Sequence, residues 1–164
     1  MKIVVASGKG GVGKSMLASA LALLFSKSKG VVACDCDVDA PNLGLWLGVR
    51  EYDKREKIST SEKARIVEQS KCDDKILSIC RFNAIEKRNG QYAINPFLCE
   101  GCGACKILYP DAIELKAVKN GEIRIKRTEH FPLVSAQLYP GESGSGKIVE
   151  ELRKRAENFE HEVM

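Results

Sequence analysis

Apolar residues Ile3, Val4 and Val5 form a short run that breaks at Ser7-Gly8-Lys9-Gly10, and an Ala/Leu-rich stretch from Ser15 to Lys27 follows. The short run predicts a strand over Lys2 to Ala6, and the longer stretch predicts a helix. Gly30 closes that helix, and Val31-Val32-Ala33-Cys34 makes a second apolar run that ends in acids. Strand, loop, helix and strand in this order predict a βαβ unit with a buried parallel pair, and an α/β fold class. From Arg50 the pattern changes, with no aliphatic residue between Glu51 and Lys57. That stretch predicts a linker or domain boundary.

Further along, Asn89-Gly90 separates Ala84-Ile85 from Tyr92-Ala93-Ile94, and Asn120-Gly121 separates Ile113 to Lys119 from Glu122 to Lys126. Both pairs predict hairpin turns. Two segments end in similar words, Cys80-Arg81-Phe82-Asn83-Ala84-Ile85-Glu86 and Tyr109-Pro110-Asp111-Ala112-Ile113-Glu114, which marks an internal repeat. In the tail from Lys147, Ile148, Val149, Leu152, Ala156, Phe159 and Val163 fall at helical spacing. The tail's four basic and five acidic residues make a membrane-surface helix a poor fit, so this face is expected to pack on protein.

The chain has 164 residues, 44% hydrophobic and 29% charged, with a formal net charge of +4, which fits a globular class and excludes disordered and fibrous ones. One ordinary domain, or a small core with an inserted module, fits this length. The apolar start is interrupted before a signal-peptide core or a membrane span is complete, which predicts a soluble, cytoplasmic protein without a membrane partner. No basic stripe is interleaved with aromatics, which argues against nucleic acid. Seven cysteines, three of them at C-x2-C-x2-C spacing, suggest a metal centre rather than a disulfide scaffold. The isolated His130 and His161 are expected to be surface residues.

Gly8-Lys9-Gly10-Gly11-Val12-Gly13-Lys14-Ser15 matches G-x4-G-K-[ST] between a predicted strand and a predicted helix. Glycines let successive N–H groups turn inward on an anion, so Gly8, Gly10, Gly11, Val12, Gly13, Lys14 and Ser15 are the candidate nucleotide-binding residues. Lys14 would put its charge on the β and γ phosphates of ATP, and the Ser15 hydroxyl would ligate Mg²⁺. A second near-match, Gly141 to Ile148, has Ile148 where the metal-binding hydroxyl belongs and is set aside. Asp35-Cys36-Asp37-Val38-Asp39-Ala40 begins like a calcium loop but lacks the glycine and glutamate that such a loop needs.

The loop from Lys9 to Ser15 resembles the deviant Walker A loop of the MinD/ParA/Mrp class of P-loop ATPases. The resemblance implies that Lys9 reaches the nucleotide of a partner subunit in an ATP-bridged dimer. It also implies that Asp35 to Asn42 is the first switch, with Asp37 orienting the attacking water and Asp35 in the outer shell of Mg²⁺. Lys9, Lys14 and Asp37 are then the candidate catalytic residues.

In ferredoxins with two 4Fe–4S clusters each half carries C-x2-C-x2-C-x3-C-P, and the fourth cysteine of one half ligates the other half's cluster. Here the second half is Cys99, Cys102 and Cys105 with Tyr109 in the fourth position, while the first half retains only Cys72 and Cys80. With that crossover one cluster keeps all four ligands, Cys80, Cys99, Cys102 and Cys105, and the other is lost. Zinc is the rival for four cysteines, but the Gly103 spacing and the repeated Ala-Ile-Glu endings fit a ferredoxin better.

The order of these parts resembles the MinD superfamily ATPases that carry an inserted ferredoxin domain. The resemblance implies a partial P-loop NTPase core with an inserted α+β ferredoxin-like module: ATPase core over 1–50, linker over 51–70, 4Fe–4S domain over 71–128, and a return strand and helix over 129–164. Complete members of that class continue into an Asp-Gly-Pro-Pro-Gly type strand that does not occur here, which implies a complementing ATPase half or a homodimer. The expected function is an ATP-binding iron–sulfur protein that couples nucleotide state to electron transfer or cluster handling, with a redox or cluster-accepting partner. ATP hydrolysis would need the complementing half. The alternative is a non-enzymatic 4Fe–4S carrier or interaction subunit with a vestigial phosphate loop.

Overall fold

The computed structural model describes all 164 residues and divides into two compact units. Unit 1 comprises residues 1–58, 121–139 and 145–164, and unit 2 comprises 59–120 and 140–144.

Unit 1 is a mixed α/β structure. Its sheet contains β1 (Ala33–Asp35), β2 (Lys54–Ile58), β7 (Gly121–Arg127) and β8 (Pro132–Leu138), in the spatial order β1-β8-β7-β2. β1 runs parallel to β8, with Ala33 opposite Leu133 and Asp35 opposite Ser135, and the other pairings are antiparallel. α4 (Ser145–Ala156) covers one face, where Ile148, Leu152 and Ala156 pack with Val32, Val134, Ala136 and Ile123. The other face buries Leu133, Ala33 and Phe131 under α2 (Leu43–Trp46) and the Ala18, Ala22 and Phe25 side of α1 (Lys14–Phe25).

Three expectations for this unit are corrected. Residues 2–6 form no strand: Ile3 donates one backbone hydrogen bond to Met164 at 2.8 Å, Val4 is 84% exposed, and no strand lies alongside. An apolar run becomes a strand only where a neighbour takes its N–H and C=O groups. The parallel partner of β1 is therefore β8, distant in sequence, and the expected first βαβ unit does not close. Of residues 51–70, expected as linker, 54–58 form β2 and 61–66 form a strand of unit 2; Arg55 of β2 pairs with Glu122 of β7, and Asp53 just before β2 pairs with Lys126. The final helix stops at Ala156; Val163 instead bridges to Val31 in a parallel contact.

Unit 2 holds β3 (Ser61–Ile66) paired antiparallel with β6 (Ile113–Val118), β4 (Ile85–Arg88) paired with β5 (Gln91–Ile94), and the short α3 (Ala104–Leu108). Two 3₁₀ turns cover 69–71 and 74–78. The repeated Ala-Ile words coincide in the interior: Ala84, Ile85, Ala112 and Ile113 are all buried, and Ile85, Ala112 and Ile113 pack with Ile76. Asn89-Gly90 is a hairpin turn with φ of 49° and 80°, both left-handed as that turn demands. Asn120-Gly121 is not one, because β6 pairs with β3 while β7 pairs with β2 and β8. Asn120 is fully buried; its Oδ1 accepts from the Thr60 N–H at 2.9 Å, and its Nδ2 donates to the Ser143 carbonyl at 2.8 Å.

Leu152 is fully enclosed and Leu24 is 60% exposed. Leu152→Ala should lower the unfolding free energy by about 2–5 kcal/mol, and Leu24→Ala by less than about 0.5 kcal/mol. Urea denaturation measures both, and equal losses would contradict this packing.

Candidate functional site

The glycine-rich loop leads from residue 7 into α1. Ser7 folds back on it, accepting from the Lys9 N–H and donating to the Lys9 carbonyl, both at 3.0 Å. Gly11 and Gly13 have φ of 73° and 85°, a left-handed backbone that residues with a Cβ adopt at a cost. Gly13 caps α1 and its carbonyl accepts from the Leu17 N–H at 2.9 Å. The N–H groups of Gly10, Gly11, Val12, Gly13 and Lys14 donate to no protein acceptor. This is a concentration of free donors at a helix start, where the dipole also favours an anion. Lys14 and Ser15 are half-buried in the first turn; Gly8, Lys9, Gly10 and Val12 are exposed.

Asp35 ends β1 and is buried. Its Oδ2 accepts from the Leu43 N–H at 2.9 Å and its Oδ1 from the Asp37 N–H at 3.3 Å. Burial pushes its carboxyl above the ordinary range, against those two hydrogen bonds. Asp35 thus anchors the turn that carries Asp37, whose side chain is exposed. Cys34, half-buried beside them, has its thiol pushed up to about 12 by burial first and by Cys36 second. That environment keeps it protonated and inert.

In unit 2, Cys80, Cys99, Cys102 and Cys105 line one cavity together with Ala64, Ile85 and Ile94. The segment from Cys99 to Cys105 curls through Gly101 and Gly103, with φ of 65° and 78°. A Cβ on Gly101 would overlap the Glu62 carbonyl oxygen, so only glycine lets the loop close against β3. The Ala64 N–H donates to Cys99 Sγ at 3.4 Å, and the Ala84 N–H donates to Cys80 Sγ at 3.3 Å. Burial pushes the Cys105 thiol up, with backbone hydrogen bonds opposing and Cys99 and Cys102 adding to the rise. No three His, Cys, Asp or Glu side chains of the molecule converge closely enough to chelate a single metal ion.

Cys72 lies outside this cavity and neighbours Tyr109, whose hydroxyl donates to Asp73. That hydrogen bond, followed by burial and the charges of Asp73 and Cys72, pushes the Tyr109 phenol up to about 12. Sequence reasoning missed the two N–H···S hydrogen bonds and Asp73. The former come from ordinary alanines, which carry no signal; an Asp close behind Cys72 was the available hint for the latter.

Residues 3–162 match the CobQ/CobB/MinD/ParA nucleotide binding domain family, CbiA. An uncharacterized protein of Methanocaldococcus jannaschii is 44% identical over 163 residues, covering 99% of this chain and 57% of its own. A second uncharacterized protein of that organism is 29% identical over 154 residues, 94% of this chain and 55% of its own. An uncharacterized ATP-binding protein of the same organism is 43% identical over 70 residues, 42% of this chain and 25% of its own. The chain thus spans a little over half the length of the first two relatives. No solved structure matches it, and no helix is long and apolar enough to cross a membrane. With a match that runs almost from end to end, the chain belongs to the CobQ/CobB/MinD/ParA nucleotide-binding domain family.

Proposed function

We propose that this chain binds ATP with Mg²⁺ in unit 1, carries one 4Fe–4S cluster in a ferredoxin-like unit 2, and couples nucleotide state to electron transfer or cluster handling. The run of donor-only amides from Gly10 to Lys14 carries the nucleotide half of the proposal. Phosphate oxygens satisfy such donors, and the helix dipole and the Lys14 charge add to the attraction. Ser15 would hold Mg²⁺, with Asp35 in its outer shell; bound there, the ion would neutralise charge on the β and γ phosphates. Lys9 is exposed and free to extend to a second nucleotide site in trans, and Asp37 is exposed and free to orient water. The relative described as ATP-binding supports the choice of nucleotide.

The cluster half is supported by the cavity that Cys80 shares with Cys99, Cys102 and Cys105 while Cys72 stays with Tyr109. The donor set fits the group. A lone zinc ion draws its sulfurs to about 2.3 Å from one point, whereas a cubane's thiolates sit at separate corners. Four thiols that line one cavity suit the second arrangement. Bound there, a cluster would supply one-electron redox chemistry, and the N–H groups of Ala64 and Ala84 would stabilise the thiolate charge of Cys99 and Cys80.

Exposed apolar residues support a covering polypeptide layer on unit 1. α1 is apolar on all sides, yet Met16, Leu17 and Leu24 stand in solvent, as do Leu45 and Trp46 of α2. A helix of that composition is ordinarily enclosed on both sides. The remaining length of a longer chain, or a second copy, would cover it and complete the ATPase site.

Lys14→Ala should weaken Mg–ATP binding at least about tenfold, the loss expected for a direct charge-assisted phosphate contact, by isothermal titration of the whole chain; unchanged affinity would refute the nucleotide half. After anaerobic reconstitution, the wild type should contain about four irons per chain. Cys80→Ala should lose the cluster's absorbance and iron, and Cys72→Ala should keep both. The reverse pattern, or tightly held zinc without iron, would overturn the cluster half.

A further inference from the structure

Lys63 is the one lysine of the molecule whose side chain is enclosed, and neither proposed site uses it. It lies in the middle of β3 and reaches two segments far apart in sequence. Its Nζ donates to the Pro96 carbonyl at 2.5 Å and to the Gly141 carbonyl at 3.4 Å. The Glu142 carboxylate is 3.1 Å away, an ion pair without hydrogen-bond alignment. A buried ammonium needs such a set of partners, so these contacts hold one another in place.

The neighbours of Lys63 make this arrangement more than a structural ion pair. On one side the Glu62 carbonyl touches Gly101 of the cysteine loop, and on the other the Ala64 N–H donates to Cys99 Sγ. Pro96 itself belongs to the turn that leads into Cys99, where the Cys99 N–H donates to the Asn95 carbonyl at 3.1 Å. Three successive residues of β3 therefore hold the cysteine loop at three points. The same Lys63 side chain holds Gly141 and Glu142, and Gly141 also packs on Phe97. In chain order, 140–144 connects β8 directly to α4.

We infer that Lys63 is a mechanical link: a ligand on the cysteines tightens the loop from Asn95 to Cys105, and Lys63 passes the change to the segment 140–144. This rests on the reading of the cysteine cavity as a ligand site and adds the residue through which its occupancy leaves that site. Asn120 holds Ser143 independently of the cysteine loop, so loss of Lys63 cuts the link without freeing the segment.

Hydrogen exchange of the whole chain, followed by mass spectrometry with and without Cd²⁺ alone, a soft ion that two thiols suffice to hold and that therefore does not require three ligands to converge, tests this. In the wild type, Cd²⁺ should slow exchange severalfold in peptides covering 95–105 and also in those covering 140–144. In Lys63→Met the first response should persist and the second disappear, and Lys63→Arg should restore it. Should Lys63→Met fail to fold, Glu142→Gln, which leaves the carbonyl contacts of Lys63 in place, should reduce the 140–144 response by half or more. A silent 140–144 segment in the wild type, or an equal response in Lys63→Met, would overturn the link, as would a cysteine loop that ignores Cd²⁺. Failure to take up iron together with a Lys63-dependent Cd²⁺ response would refute the cluster and leave the link standing.

Discussion

A backbone N–H without a protein partner must find water or an anion, and the loop and first residue of α1, from Gly10 to Lys14, have five in succession. Everything proposed for unit 1 depends on that constraint. Two glycines at left-handed φ prevent the loop from folding into a helix or strand that would consume the donors internally. Ser7 ties down the start of the loop and Gly13 caps the helix at its end, so the intervening amides are held in place. A lysine and a serine in the first helical turn add the charge and the hydroxyl that a metal-bound polyphosphate takes. The acidic segment after β1 is fixed by the same means in reverse: Asp35 consumes N–H donors of its own turn and leaves Asp37 exposed.

Unit 2 solves a different problem, the concentration of thiols in a small volume. Its core is built from two copies of an Ala-Ile pair, each following a short turn that presents one polar group, Cys80 in one copy and Tyr109 in the other. The extra residue in the first copy is absorbed at Asn83, whose φ is 52°. The outcome is asymmetric: one pole gathers four cysteines, and the other gathers Cys72, Asp73 and Tyr109. At the first pole the Cys99 and Cys80 sulfurs accept from backbone N–H groups, and the enclosed Lys63 is engaged by carbonyls and Glu142 instead.

Local chemistry was legible in the sequence, and long-range pairing was not. The turn of the glycine-rich loop, α1 and the Asn89-Gly90 turn each follow from the φ that particular residues tolerate, a property carried within a few positions. Asn120-Gly121 shows the same word in a different role, because Asn120 spends its side chain on Thr60 and Ser143, residues remote in sequence. Ile3, Val4 and Val5 read as a strand but lack a neighbouring strand, and the charged run before Ile58 became one because β7 takes its backbone groups residue for residue, with Glu122 pairing Arg55. Lys63 stood in an unremarkable alternation of polar and small residues, and nothing within the strand signalled that Pro96 and Glu142 would converge on it.

The most direct test of the central claim is the amide spectrum of the ¹⁵N-labelled chain during titration with Mg–ATP. The largest shifts should fall on Gly10 to Ser15, downfield as free donors gain phosphate acceptors, and should saturate together. Saturable binding that leaves those amides unmoved, or amides that show slow solvent exchange and internal hydrogen bonding before nucleotide is added, would contradict it.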